Sequence, residues 1–160
     1  MRLSKDSWVM ILGVGVFGMI GTWLRVMMFD LFSMLKMGGS EACAHIIATF
    51  TVNVLGAFGI GLLSVMSEKR KRPQLMLWWG TGMMGGFTTF STMMRDMYVL
   101  FTMGGNVDRP VTVLALRSSM LSNTAVYDRL IPTLIYLIIT MSCGLVCVWF
   151  GRWGAQKWLH

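Results

Sequence analysis

Long apolar runs separated by short polar connectors dominate this chain. Four runs stand out, at residues 8–24, 44–66, 75–94 and 130–150. Each is close to the roughly 20 residues an α-helix needs to cross the hydrocarbon core of a bilayer. The pattern predicts an all-α membrane protein with four transmembrane helices per subunit, in one domain over residues 1–160. No small-residue cleavage site follows the first run, so it is expected to stay as a helix and not to serve as a removable signal. The connectors at 29–43, 67–74 and 101–129 leave no room for a soluble domain. The third could hold a short amphipathic segment at 111–121, after a Gly-Gly-Asn turn and Pro110, and is read as an interfacial or partly ordered loop.

Composition points the same way. The chain is 55% hydrophobic and 13% charged, with a mean hydropathy of +0.63, too apolar for a soluble domain of this size. Its net charge of +7 does not indicate nucleic acid, because the basic residues sit at helix ends and in connectors, where they act as topology signals. The termini and second connector carry eight of them: Arg2, Lys5, Lys69, Arg70, Lys71, Arg72, Arg152 and Lys157. That excess favours a multi-pass protein of the plasma (inner) membrane with both termini in the cytoplasm. The last two helices do not repeat the first two, so any inverted symmetry has to come from a second chain. Cys43, Cys143 and Cys147 are read as small apolar residues, with no disulfide and no metal assigned.

Polar side chains inside the spans are few, and lipid makes each informative, because hydrocarbon offers them no partner. Arg25 either reaches the headgroups or forms an electropositive vestibule for anions. Asn53 is either a hydrogen-bonded link between helices or an amide donor to a dehydrated anion. The stretch from Gly80 to Thr92 crowds glycine and hydroxyl residues at midmembrane. Gly85 and Gly86 weaken the helix there and the Thr and Ser hydroxyls can hydrogen-bond backbone groups locally, which predicts a break with freed carbonyls and a row of hydroxyls beyond it. The other reading of the stretch is a tight helix crossing through Gly82 and Gly86. Asp96 follows Thr92 by one turn on the same face, and Arg95 beside it is a partner or an interfacial anchor. Tyr136 and Thr140 share a face of the last helix, as core packing or as a second polar rail.

Taken together, Gly85-Gly86-Phe87-Thr88-Thr89-Phe90-Ser91-Thr92, Asn53 in a Val-Asn-x-x-Gly setting, and Arg25 after Gly21 resemble the Fluc (CrcB-type) fluoride channels. The resemblance covers the four spans. It implies a third helix broken near midmembrane, two subunits packed antiparallel with dual topology, two narrow pores, and a structural sodium ion at the dimer centre. It assigns the sodium to the backbone carbonyls of Gly85 and Thr88. Fluoride would meet Asn53 and Phe90, then Ser91, Thr92 and Asp96, with Tyr136 and Thr140 lining the path and Arg25 at the vestibule. Met93 stands where the family carries a second pore phenylalanine, and Asp96 where a glutamate is expected. These departures imply an altered pore, or one subunit of a heterodimer in place of a homodimer.

The residue types suit a small, strongly hydrated anion. Amide and hydroxyl donors can replace its water, and the positive rim of a phenyl ring can face it. Transport would be passive export conferring fluoride resistance, and no enzyme chemistry is expected. The competing readings are a small multidrug-type exporter of drugs or cations and a non-transporting membrane scaffold. The exporter needs a carboxylate embedded early in the bundle, and the first apolar run, residues 8–24, has none, the next after it being Asp30.

Overall fold

The computed structural model describes residues 4–103 and 123–158, and these are helical apart from short turns. Ser4 opens α1 (Lys5–Met34). Its hydroxyl accepts the Ser7 N–H at 3.2 Å and satisfies one of the donors that a helix start leaves free. Ser40 does the same for Cys43 at the head of α2 (Glu41–Lys69). There Glu41 lies at the positive end of the helix dipole and Lys69 at the negative end. The chain reverses between them through Lys36, Gly38 and Gly39, all at positive φ. Gly38 also lies so near Cys43 that a Cβ would come within 2.7 Å of that residue's own, so glycine is required there twice over.

A second reversal passes Lys71 at φ 50° and enters α3 (Pro73–Leu75), with Pro73 at a first-turn position where its missing N–H does no harm. The chain continues through wide π-helical turns at Met76–Met84 and then α4 (Gly85–Phe87). It breaks at Thr88 and Thr89 and resumes as α5 (Phe90–Met103). Last comes α6 (Asn123–Trp158), which carries Pro132 inside it. The amphipathic segment expected at 111–121 lies outside the described residues.

Among the described residues, three helical stretches are long and apolar enough to cross a membrane: Ser7–Met34, Glu41–Lys69 and Val126–Trp158. The helices overrun the apolar windows read from sequence, and the connector expected at 29–43 shrinks to 35–40. Hydropathy falls where headgroups begin, but backbone hydrogen bonding continues until a turn such as Gly38-Gly39 stops it. The third expected span is divided, and its longest regular piece, α5, has 14 residues.

α2 is the central element. A third of its most apolar window (33%) is buried, against 6% for α1 and 11% for α6, so those two turn most of their side chains outward. Trp8, Leu12, Met19, Ile138 and Leu145 are all exposed, an arrangement suited to lipid. The small protein-facing core runs through Ala44, Ala48, Thr49 and Val52 of α2 and Met93 of α5. Backbones meet directly at two crossings. A Cβ on Gly86 would overlap the Gly18 carbonyl and one on Gly21 the Met83 carbonyl, while Gly61 and Gly151 press on Val148 and Phe58 in the same way.

The Gly82–Gly86 crossing and the helix break, weighed above as alternatives, therefore coexist. Of the two causes read from sequence, it is the threonines and not Gly85 and Gly86 that depart from the helix. Gly85 is helical at φ −62°, ψ −38°, and the chain departs only at Thr88, with ψ 160°. Gly86 serves close approach to α1, and the threonines end the helix.

Candidate functional site

The break is made by hydrogen bonds that compete with the helix. The Thr88 hydroxyl donates to the Met84 carbonyl at 3.0 Å, alongside the Thr88 N–H at 2.9 Å. The Thr89 N–H, which would close the next turn on Gly85, instead donates to Asn53 Oδ1 at 2.8 Å. Asn53 Nδ2 donates to the Thr89 carbonyl at 3.1 Å. One amide on α2 thus clasps both backbone groups of Thr89. The Thr89 hydroxyl then accepts the Thr92 N–H at 3.2 Å and caps α5. Asn53 is structural at the break, yet one of its two amide hydrogens remains for another acceptor.

Around this clasp lie two clefts. The first, about 300 Å³, is lined by Asn53, Thr88, Thr89, Phe90, Met93 and Thr140, with aliphatic residues of α6 behind them. The second, about 280 Å³, is lined by Arg25, Thr89, Ser91, Thr92 and Arg95, and by His45 of α2. Thr89 is the wall between them. Its hydroxyl lies 2.9 Å from that of Thr92 and 3.3 Å from that of Ser91. Three hydroxyl hydrogens serve two such contacts, so at least one can point into the cleft.

Arg25 turns toward the helix break. It is half-buried and donates to the Thr88 carbonyl at 3.2 Å, placing its charge at the break. Thr22 contributes a long contact to the Gly86 carbonyl at 3.5 Å. The Thr140 hydroxyl donates to the Tyr136 carbonyl of its own helix at 2.7 Å, so it offers the first cleft an oxygen and not a hydrogen. Met93 is buried and Phe90 is 65% exposed, so of the two side chains Phe90 is free to turn its rim.

Asp96 and Tyr136 border neither cleft. Asp96 is 2% exposed, with Oδ1 3.3 Å from His45 Nδ1. Asp96 Oδ2 and Tyr136 Oη are buried without a hydrogen-bond partner. Arg95 turns to His45, its guanidinium 2.9 Å from Nε2.

The structure thus gathers Asn53, Phe90, Met93 and Thr140 in one cleft and Arg25, Ser91 and Thr92 in the other. Sequence reasoning missed Thr89 and His45. A threonine directly before α5, three residues ahead of Thr92, is a legible cap signal. His45 had none, because its partners are 50 and 51 positions away.

Comparison with known proteins now bears on these residues. Residues 12–152 match the family model described as CrcB-like protein, Camphor Resistance (CrcB). A protein of Ruminiclostridium cellulolyticum named fluoride-specific ion channel FluC is 36% identical over 106 residues, 65% of this chain and 78% of the relative. A Chlorobaculum tepidum protein of the same name is 34% identical over 69% of this chain and 71% of its own length. One from Elusimicrobium minutum is 34% identical over 71% and 83%. No solved structure matches the chain. With nearly its whole length inside the family model, and the glycine crossing, broken run and Asn53 clasp all within the matched residues, this chain belongs to the CrcB-like family.

Proposed function

We propose that the chain is a subunit of a fluoride-specific ion channel that lets fluoride leave the cell passively. The observation that carries this reading is the Asn53–Thr89 clasp. It holds a helix break open with neutral hydrogen bonds and leaves one amide hydrogen uncommitted on a residue that lines a cleft with the Phe90 ring. A dehydrated fluoride needs donors in place of water, and an amide N–H, a free hydroxyl hydrogen and a phenyl edge supply them without a fixed charge that would trap the ion. Arg25 and Arg95 line the neighbouring cleft and raise the local anion concentration. A negative interior and the fluoride gradient drive the flux, and no bond is made or broken.

In this reading the broken run from α3 to α5 is the fourth span. Irregular backbone at membrane depth needs protein or a water-filled cavity beside it, and Gly85, Phe90 and Ser91 are exposed in the single chain. A second subunit packed antiparallel in the membrane would cover them, either a copy of this chain or a different one.

The break also suits a structural sodium ion. The Gly85 carbonyl has lost its helical donor to Asn53, and the Thr88 carbonyl uses one lone pair on Arg25 and keeps another. Gly85 and Thr88 would hold the ion, which when bound supplies a fixed positive charge between the broken helices.

The test is flux from reconstituted liposomes. Fluoride efflux without chloride efflux supports the proposal, whereas proton-coupled movement of a drug or cation, with no fluoride current, refutes it in favour of an exporter.

A further inference from the structure

α2 and α6 run side by side in the same direction and end together. Gly61 presses on Val148, Arg152 donates to the Ser64 hydroxyl at 2.8 Å, and Lys69 donates to the Gln156 carbonyl at 3.3 Å. Between their last turns lies a groove of about 500 Å³, larger than either cleft at the break. Phe58, Leu62 and Met66, four residues apart on one face of α2, form one wall, and Gly154, Ala155 and Trp158 of α6 form the other. The α2 wall runs for about 12 Å along the helix. A Cβ on Gly154 would meet nothing within 4 Å, so the groove is open on that side. Its mouth is strongly basic. The segments that frame it, residues 58–72 and 144–158, carry Lys69, Arg70, Lys71, Arg72, Arg152 and Lys157 against a single acid, Glu68. Glu68 already lies 3.7 Å from Arg152, and Lys69 serves the carbonyl end of α6. Arg70, Lys71, Arg72 and Lys157 remain as exposed positive charge. Arg70 follows Met66 by four residues, so the apolar row of α2 ends in a guanidinium.

We propose that this groove binds an anionic phospholipid, with an acyl chain along Phe58, Leu62 and Met66 and the headgroup phosphate at the basic rim of Arg70 and Lys157. A gap lined by apolar side chains forfeits dispersion contacts unless something fills it, and in a bilayer the apolar material at hand is an acyl chain. Any lipid could supply the chain, so the choice of headgroup falls to the rim. Trp153 and Trp158, with the Lys157 ammonium 5.5 Å over the Trp153 ring, are residue types of the membrane–water boundary and set the mouth at the depth of the phosphates. There each Lys or Arg favours an anionic lipid by about fivefold, and a guanidinium can grip a phosphate with two parallel hydrogen bonds.

The site stands whether or not the chain conducts fluoride, so its test reads lipid and not flux. Full-length protein in detergent is given equal amounts of dioleoyl phosphatidylglycerol and dioleoyl phosphatidylcholine, and native mass spectra count the lipids retained. Wild type should keep phosphatidylglycerol over phosphatidylcholine by about tenfold or more. In R70Q/K157Q, altered only at exposed positions, phosphatidylglycerol affinity should fall about twentyfold. G154L plugs the groove from its open side and leaves every charge in place, and should lose about tenfold. Equal retention of the two lipids by wild type overturns the proposal. So does unchanged affinity in G154L, which would leave a basic surface acting alone, or release of a subunit by G154L, which would give the groove to a neighbouring chain. Dihexanoyl phosphatidylglycerol has the same headgroup on short chains and should compete about tenfold more weakly for the wild-type site. Competition equal to that of the dioleoyl lipid overturns the proposal even where G154L fails to fold.

Discussion

The two clefts share Thr89 but differ in how they can treat an anion. The first is lined by the Asn53 amide, the Phe90 ring, two methionines and three threonines, and contains no charged group. The second holds two guanidiniums, an imidazole and three hydroxyls. A full charge is tolerable where water reaches and holds an ion too tightly where water is gone, so the charged cleft suits capture and the neutral one passage. Thr89 separates them through its backbone, clasped by Asn53, and its hydroxyl, which caps α5.

The difference is broken most severely by putting a charge in the neutral cleft. Asn53→Asp removes both amide donors, faces a carboxylate to the Thr89 carbonyl, and sets negative charge where the anion must pass. A buried carboxylate is worth roughly 3 kcal/mol in a membrane span, so fluoride flux should fall by about two orders of magnitude or more. Wild-type flux from that variant in the same vesicles would falsify the role given to Asn53.

Removing charge from the other cleft should do less. Arg25→Gln keeps a donor for the Thr88 carbonyl but loses the field, so flux should drop about tenfold at low ionic strength. The gap should narrow as salt screens the wild type. A deficit that ignores salt would mean that Arg25 acts by holding the break and not by attracting the anion. Met93→Phe should have the smallest effect. It places a second ring in the neutral cleft beside Phe90, and the ring is bulkier than the thioether by about one methylene, a packing cost of about 1–3 kcal/mol that the adjoining cleft can take up. Flux should hold or rise, and a collapse would show that the buried thioether is needed in its present shape.

Glycine and threonine were legible in different degrees. The four apolar runs foretold the three long helices and the position of the divided one, because a chain in lipid must satisfy its own backbone wherever it is apolar. The run from Gly80 to Thr92 was marked as irregular on two grounds, weak glycines and hydroxyls that bond the backbone locally, and it is the hydroxyl residues that end the helix. Low helix propensity at Gly85 and Gly86 gave way to the close approach of α1, which needs a helical backbone without side chains there. Asn53 was weighed as either a structural link or a donor to an anion, and the structure makes it a link to Thr89 with one amide hydrogen uncommitted.

The sequence by itself determined the solvent, the helices and the residue types available to an anion, since these follow from composition and from spacing within one helix. Only the tertiary structure decided which polar groups remain free. That depends on partners far apart in the chain: Asn53 with Thr89, Arg25 with Thr88, and His45 with Arg95 and Asp96. A hydrogen bond is spent once, and where it is spent is settled by which helices touch.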